Sequence, residues 1–246
     1  MINETKFNCY EPDSSEWTWN NFYNKTYRTL DYWKNLGKER TKGKYKQATY
    51  IYKNLGEIEI GGDVIFNFKK GHGKTFRELL ANEYNEKVYA RMHYSVLNFS
   101  FMPVTGGLNL NKANGQYCDR LDRFIFHLDK LIQTKNSDNP LLGIRGTNKH
   151  TIPKLKDYLN DFDSIEEYCQ VYYLLDSKKT DLVERLKNSG EEYVNTGATA
   201  ENCKQYLNLA FEFWAYRTKI FKEDYGMDVY CLDDGIDIEK VDNIVD

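Results

Sequence analysis

The stretch 119–132, DRLDRFIFHLDKLI, decides the fold class. Leu121, Phe124, Ile125, Leu128, Leu131 and Ile132 recur at the 3.6-residue spacing of an α-helix and give it one apolar stripe. Such a stripe needs a covering layer, and the flanking sequence offers one on each side. Downstream, Leu155, Tyr158, Leu159 and Phe162 mark a short helical segment. Ser164 and Glu167 have capping-box spacing ahead of Ile165, Tyr168, Cys169 and Tyr172. Leu182, Val183 and Leu186 form another stripe that ends at Gly190, read as a C-cap, and residues 200–222 read as the last long helix. Upstream, residues 15–36 are helical in pattern and aromatic-rich, and Thr75 with Glu78 predicts a capped helix reaching about residue 93. Between them lie β signals: ATYIY (48–52), EIEI (57–60) and DVIFNF (63–68), broken at Gly56 and Gly61–Gly62, and later SVLNFSFMPV (95–104). The prediction is an α+β fold, predominantly helical. A small antiparallel sheet from residues 47–68 and 95–104 packs against the C-terminal helical half. One domain is expected over residues 1–246, with a mixed α/β lobe (1–104), a helical lobe (105–232) and an acidic tail (233–246).

Composition narrows the class. The chain has 246 residues, 15% of them aromatic, which is ample apolar area to exclude disorder over most of the length. Its net charge of −3 excludes a protein that is basic all over, though not a local basic patch. The five cysteines (Cys9, Cys118, Cys169, Cys203, Cys231) are odd in number and contain no close pair, so reduced thiols in a cytoplasmic protein are expected. The N-terminus carries no signal-peptide pattern. The longest uncharged run, Met92 to Asn111, contains His93, Pro103 and Gly106–Gly107 and does not read as a membrane span, so no membrane partner is expected.

Several segments occur in a familiar order: the loop MPVTGGLNLNKANG, then DRLDRFIFHLDKLI, NPLL, DYLNDFDSIEEYCQVYYLLD and YLNLAFEFWAYR. Over roughly residues 90–222 this order resembles an uncharacterised bacterial domain-of-unknown-function family. In that family a Gly/Asn loop precedes an Asp-Arg-x-Asp helix, and a terminal helix carries an Arg. The matching positions are Asp119, Arg120, Asp122 and Arg217. The resemblance implies a shared fold and shared polar positions; it implies no reaction.

Four constellations are candidates for function. VIFNFKKGHGKTFRELL (64–80) has the strand–loop–helix context of a phosphate loop, but Phe68 stands where the motif needs glycine. A β-to-α turn, or at most a looser anion site using Lys74, is the reading. The second candidate is the loop and helix from Thr105 to Arg123. Gly106 and Gly107 admit close backbone approach, Asn109, Asn111 and Lys112 supply donors, and Arg120 and Arg123 lie on the polar side of the helix. Asp119 and Asp122 are their salt-bridge partners or, if chemistry occurs, the general base or metal ligand. The third is Arg217, which falls about 20° from Tyr206 on a helical wheel, inside an apolar arc. A buried guanidinium must be paired, here with Asp119 or Asp122 or with an anionic ligand. The fourth is the alternating run Lys38, Arg40, Lys42, Lys44 and Lys46, which in extended form shares one face and suits a nucleic-acid backbone, or is simply a solvated loop. No metal spacing and no complete catalytic motif is present, and no cofactor is indicated; His127 reads as a surface or boundary residue.

Two function classes follow. One is binding or processing of a phosphate-bearing ligand, a nucleotide or nucleic acid, at the Gly106–Lys112 loop with Arg120, Arg123 and Arg217. The other is a non-catalytic protein-interaction module, for example an accessory or inhibitor in a phage–host conflict (phage defence) system, working through exposed tyrosines and the acidic tail.

Overall fold

The computed structural model describes residues 22, 25–35, 40–42, 47–52, 56–67, 78, 95–103, 119–135, 138–142 and 158–227, and they are mostly helical. A 3-10 turn (Tyr27–Thr29) leads into α1 (Asp31–Asn35). Strands β1 (Arg40–Lys42), β2 (Gln47–Tyr52), β3 (Gly56–Val64) and β4 (Phe99–Pro103) follow. The helical half holds α2 (Leu121–Thr134), a 3-10 turn (Pro140–Leu142), α3 (Ile165–Tyr173), α4 (Leu182–Thr196) and α5 (Ala200–Tyr225). Thr75, Gly106–Lys112 and the tail 233–246 lie outside the described residues.

The strands pair antiparallel in the order β1-β2-β3-β4, with Thr41, Ala48, Ile60 and Pro103 in one row. EIEI and the start of DVIFNF are one strand, not two. Gly61 and Gly62 pair with Met102 and Phe101, so the β4 ladder carries β3 through the glycines that the sequence suggested as a break. Past Val64 the pairing is continued by a side chain. Ile65 N–H donates to the Asn98 carbonyl at 2.8 Å. The Asn98 amide then closes on Phe66, accepting from its N–H at 2.9 Å and donating to its carbonyl at 3.0 Å. Asn98 Oδ1 also accepts from Trp214 Nε1 at 3.0 Å, which ties this end of the sheet to α5.

Helix α4 does not stop at Gly190. A Cβ there would sit 2.2 Å from the backbone oxygen of Asp122, so this glycine serves the close approach of α4 to α2. The helix runs on to Thr196. Helix α5 starts at a capping box the sequence reading passed over: Thr199 Oγ1 accepts from Asn202 N–H at 3.1 Å, and Asn202 Oδ1 accepts from Thr199 N–H at 3.2 Å. At α3, Ser164 caps Glu167 as predicted, but Glu167 reaches back to Asp163 N–H, one residue beyond the cap.

The tyrosines with described side chains are buried or half-buried, and none of them is exposed; the other ten tyrosines lie outside the described side chains. Tyr168 stacks on Tyr172 at 4.6 Å between centroids. The Tyr172 carbonyl accepts from the Tyr27 hydroxyl at 2.8 Å and from Ser100 Oγ, and Trp33 Nε1 donates to the Val171 carbonyl at 3.0 Å. These bonds pin the N-terminal segment and β4 to α3. The Tyr158 and Tyr32 hydroxyls both meet that of Tyr172, and burial pushes the Tyr158 and Tyr172 phenols well above their ordinary range. Among the described residues, no helix is long and apolar enough to cross a membrane.

Candidate functional site

The N-terminus of α2 gathers part of the second candidate. Asp119 takes a left-handed turn (φ 49°) and accepts from Asn67 Nδ2 at 2.8 Å. Arg120 is the N-cap residue, yet its side chain does not cap. The Leu121 N–H is instead satisfied by the Tyr206 hydroxyl at 2.9 Å. The Arg120 guanidinium lies between the rings of Tyr193 and Tyr206, 4.2 and 4.4 Å from their centroids. Its Nε and Nη2 donate to the two carboxylate oxygens of Asp122 at 3.0 and 2.6 Å. Nη1 and Nη2 also reach Asn202 Oδ1 and the Asn202 carbonyl, at 3.4 and 3.2 Å.

Asp122 is fully engaged. Besides Arg120, it accepts from Ser189 Oγ at 2.8 Å and from Arg123 N–H at 2.7 Å. Arg120 and Asp122 both have 0% side-chain exposure. Burial alone would lower the Arg120 pKa, but the adjoining Asp122 charge outweighs it and raises the value. This is a bidentate, desolvated ion pair with its remaining lone pairs satisfied. A carboxylate held this way has neither solvent access nor a free oxygen with which to accept a substrate proton. The expectation of a salt bridge at this turn is met in Arg120–Asp122. The expectation that Arg120 and Arg123 sit on a solvated face is corrected: they are 0% and 1% exposed, because α4 and its neighbours cover that side of α2.

His127, one turn after Arg123, is also buried rather than at the surface. Burial and the nearby Arg123 and Lys130 charges push its pKa down to about 4, so the ring is neutral at pH 7.

Arg217 stands apart. It lies 11 residues beyond Tyr206 on α5, about 16 Å along the axis at 1.5 Å per residue. It is fully buried and pairs with neither Asp119 nor Asp122; Nη1 donates to the Phe99 carbonyl at 2.7 Å. Arg120 and Arg217 therefore do not converge. Gly106, Gly107, Asn109, Asn111 and Lys112 lie outside the described residues, as do Lys38, Lys44 and Lys46. Arg40 and Lys42 fall at the two ends of β1, the last strand in the sheet order.

Ser189, Tyr193 and Asn202 complete the Arg120–Asp122 cluster and were not singled out from sequence; Gly190 and Tyr206 also belong to it, but were read as a C-cap and as part of the apolar arc of the last helix. The only local signal for the first three is the Thr199–Asn202 spacing. Among the described residues no group of His, Cys, Asp and Glu is arranged to hold a metal. A surface depression of about 380 Å³ is lined by Glu166, Lys178, Asp181 and Glu184 and by none of the candidate residues. Comparison with protein families, curated proteins and solved structures gave no match.

Proposed function

We propose that the chain is a non-catalytic protein-interaction module on an α+β scaffold, in which a small antiparallel sheet packs against a helical half. The observation that carries this reading is the engagement of Asp122. The best-placed acid for general-base or metal-ligand work has both oxygens bonded to Arg120, Ser189 and Arg123 N–H with no solvent exposure. The same bonds occupy Arg120, the first cation of the phosphate-ligand reading. Arg120 and Asp122 serve to dock α2 against α4 and α5.

The test is a turnover assay on a panel of nucleotides, phosphate esters, short RNA and DNA, with and without magnesium. No turnover above blank is expected. Turnover that disappears in Asp122→Asn or Arg120→Lys proteins of unchanged circular dichroism refutes the reading.

A further inference from the structure

We draw no further inference here: the strongest candidate, the surface depression of about 380 Å³ where the connection from α3 meets the start of α4, is lined by Glu166, Lys178, Asp181 and Glu184, an acidic cluster at a helix N-terminus, and nothing among the described residues shows what occupies it.

Discussion

Asp122→Ala is the most informative single substitution. It removes the acceptor of both Arg120 bonds, the Ser189 bond and the Arg123 N–H bond, and leaves the Arg120 cation buried between two tyrosine rings. Removing one partner of a buried pair costs about 3–5 kcal/mol, whereas the same change in a solvated pair costs about 0–1 kcal/mol. For a chain of this length each kcal/mol is worth about 2–4 °C, so Tm should fall by roughly 6–20 °C. The double variant Arg120→Met, Asp122→Leu removes both charges at similar volume. It should be markedly more stable than Asp122→Ala, because the main cost of the single change is the stranded charge. The assay is urea and thermal unfolding of wild type, Arg120→Met, Asp122→Leu and the double, read as a thermodynamic cycle, with Asp122→Ala measured beside them. If Asp122→Ala costs less than about 1 kcal/mol, the carboxylate is solvated, and the argument against a catalytic Asp122 falls with it.

Gly190→Ala should be strongly destabilising, because reaching ordinary contact at 3.4 Å from 2.2 Å requires α4 to move 1.2 Å against backbone of α2. A loss of about 3 kcal/mol, at the upper end of overpacking costs, should show in urea unfolding. Asn98→Ala strands the N–H and carbonyl of Phe66 and Trp214 Nε1. At about 1–3 kcal/mol for each group left unsatisfied, the total should be roughly 3 kcal/mol or more, with faster amide exchange at Phe66. His127 gives a pH dependence with a definite sign. Its folded pKa of about 4 lies below the ordinary 6.5, so the unfolded chain takes up the proton first. Its contribution is intact above 6.5, erodes as pH falls from 6.5 to 4 and is constant below that. Wild type should therefore lose stability relative to His127→Gln across that window, measured as the difference in their Tm–pH curves.

Helices were legible where a stripe met a cap. The α2 stripe runs from Leu121 to Ile132, and all six of its apolar positions are buried. The errors fell where tertiary contact overrode local signals. Gly190 has the look of a helix stop, and only the distance to Asp122 O explains a glycine in the middle of α4. Gly61 and Gly62 look like a break, but their β4 partners keep them in the strand. The polar cluster was half legible. Arg120 and Asp122 are two residues apart, so their pairing was available from sequence. Ser189, Tyr193, Asn202 and Tyr206 arrive from α4 and α5, and nothing in their local spacing reports a common destination. Arg123 shows the limit of wheel reasoning: a position opposite the apolar stripe is solvated only if no further layer covers that face, and here one does.

The same limit explains why Arg217 was read half correctly. Its place in the apolar arc of α5 did require burial, and burial did require a partner. Of the two partners expected, an acid of the chain or an anionic ligand, the choice of Asp119 or Asp122 assumed that polar residues of one lobe meet. The α5 helix separates them by about 16 Å, because Tyr206 delivers its first turns to Arg120 while Arg217 faces the start of β4. Arg120 and Asp122 satisfy each other locally, so no acid of that cluster remains for the distant guanidinium. The helix thus carries one arginine-binding aromatic, Tyr206, and one aromatic-boxed arginine, Arg217, on the same buried side. Among the described residues Arg120 has a carboxylate partner and Arg217 has none. A fold that needed only packing at position 217 would accept a methionine there, since a well-packed apolar residue commonly matches or exceeds a buried charge in stability. Folded and more stable Arg217→Met protein would mean that the Phe99 bond and the aromatic contacts do not offset the desolvation of the charge. A strongly destabilised Arg217→Met would mean that the Phe99 bond and the aromatic contacts are the residue's whole contribution.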